Sequence, residues 1–500
     1  MQPSIVLLVI IFYFVLVFTV SWLTTRRRDT DSQTFYRGDR RSPWWVVAIA
    51  MIGTSISGVT YVSVPGMVEA KQMSYMQMVL GFVAGYFAVA YILLPLYYRL
   101  GLSSIYVYLE QRYGRAAHRT GAAFFLLSKY LGCAVRMYLT AVVLQLVLFE
   151  QLGVPFGVSV SCIMLIVWLY SFRGGVKTLV WTDLLQTLCL IAAMVGFVIC
   201  MADAMDLGLT SLCSTITDSP MSRVWFFDDP NDTRYFWKQF LGGMFTTIAM
   251  TGLDQDMMQK NLSCRSLREA QKNMVCYGFG FLPVNLIFLS LGILLYLFAG
   301  QLGVTQSGDE LFPYLATGVD PATGQPFLPL IVSVLFVLGL VAAAFSSAGS
   351  AVTALTTAVM VDFMAPRADA DADATPAASQ RRRLIVHIVN SVMMGVMIYA
   401  FHLLASGSVI NAVYVVASYT YGPLLGLFFF GMFTRVRVRD GWWIPAICVL
   451  SPVLCYVLDL YSEQWFGGYH IGYEMLLING ALTALGLLCC PRHRRQDSQR

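Results

Sequence analysis

Thirteen stretches of this chain are apolar and close to the length that carries a helix across a bilayer, about 20 residues. They run at 3–23, 43–67, 75–98, 120–149, 154–172, 178–202, 236–259, 273–300, 327–362, 384–404, 408–434, 441–461 and 471–490. A water-soluble fold cannot hide so many, because it needs about 25% charged residues to cover its surface. Here 12% are charged and 57% are hydrophobic. In lipid every backbone N–H and C=O must find an internal partner, so apolar spans of this length are helices. The expectation is an all-α, multi-pass membrane protein with about thirteen transmembrane helices.

The basic residues test that count. Every Lys and Arg falls in one of the alternate segments 24–42, 97–119, 173–177, 260–272, 363–383, 435–439 and 492–500, apart from Lys71, Lys129, Arg136, Arg223, Arg234 and Lys238. Lys and Arg collect on the cytoplasmic side of membrane proteins, so the N-terminus is expected outside and the C-terminus in the cytoplasm. The first span has its arginines (Arg26, Arg27, Arg28) after it and no cleavage site, as a retained helix would. Topology accounts for the net charge of +5 without a nucleic-acid partner, and nothing calls for an obligate protein partner. The eleven cysteines form no CxxC pair, and 366–380 reads as a polar, disordered loop.

Polar groups inside a bilayer are expensive, and each calls for an explanation. The second span carries Gly53, Thr54, Ser55, Ser57, Gly58 and Thr60 where a plain helix would place Leu. That pattern fits either close helix packing or an interrupted helix whose freed carbonyls line a site. The ninth span places Ser346, Ser347, Ser350, Thr353, Thr356 and Thr357 on successive turns, hard neutral oxygens that suit sodium. Asp183 lies inside the sixth span and must be protonated, paired or ion-bound. Asp254 and Asp256 at the end of the seventh span read as interfacial caps or ion pairs. Lys129 can snorkel to the interface, whereas Arg136 is too deep and wants a carboxylate, Asp183 or another, or an anionic solute. The five histidines are scattered and no catalytic motif appears, so no enzyme is expected.

Four segments together, RGG-x4-V-W-T-D-x2-Q (173–186), the WW followed by small and hydroxyl residues, AAxxSSA (342–348) and DQ-x3-Q-K (254–260), give the chain its resemblance to a known family. It resembles the sodium/solute symporter family of sodium-coupled glucose, proline, pantothenate and sialic-acid carriers. The resemblance implies a five-plus-five inverted repeat, here 43–202 and 236–434, flanked by extra helices at 1–23 and 441–490. It implies a sodium ion held by the carbonyls of Gly53, Ile56 and Ala343 and the hydroxyls of Ser346 and Ser347. Asp183 matches an acidic residue beside that ion. With Ser350 it would serve coupling or a second sodium, although Gly349 stands where members with a second ion have a hydroxyl. The solute candidates are Ser57, Thr60, Tyr61, Arg136, Thr247, Met250, Thr251, Tyr419 and Tyr421, and these do not copy the sugar site.

The implied function is import of a small organic solute across the cell membrane by a sodium-coupled symporter. Proton coupling through Asp183 is the rival mechanism, and the paired hydroxyls of Ser346 and Ser347 argue for sodium. A sensor role would bring a long cytoplasmic domain after the last span, and only about ten residues follow it.

Overall fold

The computed structural model describes residues 3–25, 42–101, 104–172, 175–320, 324–364, 376–404, 409–467, 469 and 471–491. Among them the regular elements are all helices, and the principal ones are named here in chain order. They begin with α1 (Pro3–Thr25), α2 (Trp44–Ser55), α3 (Gly58–Gly66), α4 (Tyr75–Ala88), α5 (Arg115–Leu144) and α6 (Phe156–Ser171). Next come α7 (Gly175–Ala204), α8 (Phe236–Thr247), α9 (Gln255–Leu262), α10 (Leu267–Leu302) and α11 (Leu330–Ala358). The last are α12 (Pro376–Leu404), α13 (Val409–Phe433), α14 (Trp443–Trp465) and α15 (Met475–Leu488).

Each of the thirteen expected spans has a helical counterpart, but not all are long, unbroken membrane helices. Nine described helices are long and apolar enough to cross a bilayer, and α2 with α3 makes a tenth if a 61° bend is allowed within one span. The counterparts at α6 and α15 are shorter apolar helices. The seventh is a chain of short pieces, α8, a wide π turn at Ile248–Gly252, and α9. The loop expected at 366–380 lies partly outside the described residues, and helix α12 already begins at Pro376.

The break between α2 and α3 follows from the small-residue run. Ile56 (φ −81°, ψ 103°) and Ser57 (φ −94°, ψ 174°) leave the helical region, so carbonyls in the last turn of α2 lose their intrahelical partners. The flanking glycines let neighbours come close. A Cβ at Gly53 would overlap the Thr187 hydroxyl on α7, and one at Gly58 would overlap the Thr140 hydroxyl on α5. Overpacking such a contact costs about 1–3 kcal/mol. Gly53→Ala is therefore expected to lower the melting temperature of purified protein, and adding Thr187→Ala should restore part of the loss. No loss in the single variant would show that α2 and α7 are not in tight contact there.

At the other end of the seventh span, Asp254 stops the π turn and starts α9. Its backbone is extended (φ −101°, ψ 121°), and its carboxylate accepts from the N–H groups of Asp256 at 2.9 Å and Met257 at 3.3 Å. That is an N-cap, which Asp favours. Helix α10 opens on Ser266, whose hydroxyl accepts from the N–H of Glu269. Cores form where α4 meets α8, α7 meets α2 and α11, and α13 meets α5 and α15. The segment before α8 is fastened to α4: Gln77 accepts from the N–H of Phe226 at 3.1 Å and donates to the Arg234 carbonyl at 2.8 Å. Hydrogen bonds from Arg234 hold the carboxyl of Asp232, in that same segment, below the usual range.

Candidate ion and solute site

The α2–α3 break, α7, α9 and α11 converge on Asp183, which is fully buried. Ser346 donates to its Oδ1 at 3.0 Å, and Thr54 and Ser350 each lie 3.1 Å from its Oδ2. The hydroxyl of Ser347 turns back to the Ala344 carbonyl at 2.9 Å, so it sits on the same helix turn but not on the carboxylate. Gly53 and Ile56 flank the break on α2, and Ala343 lies one turn before Ser346 and Ser347. All five residues expected at sodium are buried.

The partner of Asp183 is not Arg136. It is Lys260, whose Nζ lies 2.6 Å from Asp183 Oδ2. Sequence reasoning assigned Lys260 to the cytoplasmic segment, because it follows an apolar run that was read as one straight helix. The cap at Asp254 redirects the chain and carries α9 back inside, leaving Lys260 1% exposed. An Asp two residues after a Gly and three before Met257 was the available signal.

Lys129 does not snorkel either. Its ammonium is buried between Asp254 (3.1 Å) and Asp256 (2.8 Å), and Tyr421 donates to Asp254 at 2.7 Å. The two aspartates are thus a buried ion cluster, with Asp254 capping α9 as well, and not an interfacial pair. Arg136 is different. It is half-buried, and among the described residues no carboxylate pairs with it.

Arg136 faces a cavity of about 110 Å³ in the middle of the molecule. Ser57, Thr60, Thr247, Met250, Thr251 and Tyr421 also line it, as does Ser347 from α11. Two expected solute residues are elsewhere. Tyr61 is packed in the core against Phe312, Phe288 and Phe336, and Tyr419 bonds Asp459 at 3.1 Å in a separate, outer cavity. Both were picked for their polar tips, but helix rotation turns those tips away. Sequence reasoning missed Tyr86 and Tyr277, which join Ser55 in a hydroxyl chain on the cavity wall. It also missed Tyr75 and Tyr414, whose hydroxyls meet at 3.0 Å between the central cavity and the outer one.

The family description "Sodium:solute symporter family" matches residues 35–442. The chain belongs to the sodium:solute symporter family. Among curated relatives of this chain, the human sodium/iodide cotransporter is 25% identical over 420 residues, covering 82% of this chain and 62% of that protein. The mouse sodium-coupled monocarboxylate transporter 1 is 27% identical over 414 residues, covering 80% and 64%. The chain thus spans under two thirds of the length of these relatives. A solved Na+-coupled sialic acid symporter, in a substrate-bound outward-open state, superimposes with a TM-score of 0.79 at 20% identity, covering 98% of this chain and 99% of that one. A nucleobase-cation-symport-1 family transporter in a closed conformation gives 0.56 at 14% identity, covering 91% and 93%. The fold is therefore the all-α symporter fold that the sequence led us to expect.

Proposed function

We propose that this chain is a sodium-coupled symporter that carries a small organic anion by alternating access through the membrane. Arg136 carries the anion part of this reading. A guanidinium cannot shed its proton, and a buried one needs anionic partners. Here no carboxylate of the described protein lies within salt-bridge distance, and the cavity of about 110 Å³ that Arg136 faces is also lined by Asp254 and Asp256, which Lys129 already pairs. The planar fork of Arg136 suits a carboxylate. The names of the sodium/iodide and sodium-coupled monocarboxylate relatives, both anion carriers, support the same class.

Sodium is assigned to the carbonyls of Gly53, Ile56 and Ala343 with the hydroxyls of Ser346 and Ser347. The supporting observation is that an interrupted helix and a hydroxyl-bearing helix meet there, which supplies neutral oxygens in a dry place. Ser347 borders both the ion side and the cavity, so a filled ion site would shape the solute site. A proton-coupled cycle is disfavoured because Asp183 is already neutralised by Lys260. The two five-helix repeats are placed at 43–202 and 236–434, with the N-terminus outside and the C-terminus in the cytoplasm.

Binding tests this directly, because linkage requires each ligand to raise the affinity of the other. Thermal stabilisation of purified protein by small carboxylic acids should increase when sodium replaces potassium, and neutral analogues should give none. Losing one ligand in a water-poor site costs about 1–3 kcal/mol. Ser346→Ala or Ser347→Ala should therefore raise the sodium concentration needed by roughly tenfold. Unchanged sodium requirement in both variants would remove the ion from this position.

A further inference from the structure

We propose that the ammonium of Lys260 is a tethered cation that takes the place of a second sodium beside Asp183, so that each transport cycle carries one sodium. This rests on the sodium-coupled reading above and adds a stoichiometry to it.

An ammonium has three protons and no acceptor, so a satisfied one needs three oxygens. Lys260 has them: Asp183 Oδ2 at 2.6 Å, Ser350 Oγ at 2.7 Å, and Thr54 Oγ1. These oxygens come from α7, α11 and α2, so the ammonium sits at the meeting point of three helices. They also include both groups, Asp183 and Ser350, that the sequence singled out for a further ion. A second sodium at this carboxylate would face a fixed positive charge in a medium of low dielectric, where like charges a few ångströms apart repel strongly.

A second observation points the same way. The missing hydroxyl at Gly349 is enforced by packing. A Cβ there would overlap the Tyr170 ring and hydroxyl, and that hydroxyl donates to the Phe345 carbonyl. Position 349, which faces Tyr170 on α6, therefore supplies no side-chain oxygen, and a further cation would depend on the same Asp183 and Ser350 oxygens that Lys260 occupies.

The lysine is also held in place. Helix α9 is capped by Asp254, which Lys129 pairs, and Asn273 donates to Asn261 Oδ1 at 2.7 Å, one residue after Lys260. A second link, from the N–H of Ser42 to the Ser263 carbonyl at 3.1 Å, ties the end of α9 to the start of α2. The ammonium is delivered by an anchored element. It can occupy the carboxylate throughout a cycle without diffusing away, which a free ion cannot.

A plain structural salt bridge would change stability on mutation but not the number of ions carried. Stoichiometry is therefore the readout. In proteoliposomes, labelled sodium and labelled solute should enter unmodified protein in equal numbers, and sodium should activate uptake along a hyperbolic curve. Lys260→Met frees Asp183, and its sodium activation should become sigmoidal with more than one sodium per solute. Lys260→Arg, which keeps the charge, should remain hyperbolic. Two sodium ions per solute in the unmodified protein would overturn the proposal, whether or not Lys260→Met folds. So would a folded Lys260→Met protein that still carries one. Uptake indifferent to sodium would instead overturn the symporter reading along with it.

Discussion

Arg136→Gln protein is expected to reach the membrane and fold as well as the unmodified protein, yet to bind acidic solutes at least about tenfold more weakly. The size follows from a hydrogen bond to a charged group, about 1.5–3 kcal/mol, of which a carboxylate on a guanidinium fork makes two. Normal folding is expected because no carboxylate among the described residues is left unpaired when this charge goes. Arg136→Lys should fall between, since it keeps the charge and loses the fork. Neutral solutes, if any bind, should be unaffected. The measurement is equilibrium binding to protein of verified thermal stability. Equal affinity for every acidic ligand in the Gln variant would end the anion assignment, and a collapse in stability would mean that Arg136 serves the fold.

Asp183→Ala should behave in the opposite manner. It strands the Lys260 ammonium, 1% exposed, without its counter-charge. Breaking a buried pair by removing one partner typically costs about 3–5 kcal/mol. Thermal melting should drop sharply and uptake should vanish. Asp183→Asn combined with Lys260→Met should recover most of the stability, because replacing both charges is often near neutral. If the single variant is as damaging as the double, the pair is not the source of stability at this junction.

These two residues show what could be read ahead of the structure. The spans were legible because hydropathy needs only composition over about twenty residues. The bend in the second span was half legible, since small residues signal close approach as well as a break. Arg136 was legible as a deep charge in want of a partner, and no carboxylate among the described residues lies within salt-bridge distance of it. Lys260 and Lys129 were not. Both stand near apolar–polar boundaries, where a lysine ordinarily reaches the interface. Their burial depends on Asp254 turning the chain inward, and that turn rests on one N-cap whose effect is tertiary. The polar tips of Tyr61 and Tyr419 misled because helix rotation, and not residue type, decides which way a tyrosine points. Tyr86 and Tyr277 meet the cavity for the same reason.

Uptake into proteoliposomes tests the central claim most directly. A labelled short-chain carboxylic acid and its neutral amide would be offered to reconstituted protein under an inward sodium gradient, an equal potassium gradient, or an inward proton gradient. The account predicts that the acid accumulates above its outside concentration under the sodium gradient alone, and that the amide does not accumulate. Accumulation driven by protons without sodium, or equal accumulation of acid and amide, would contradict it.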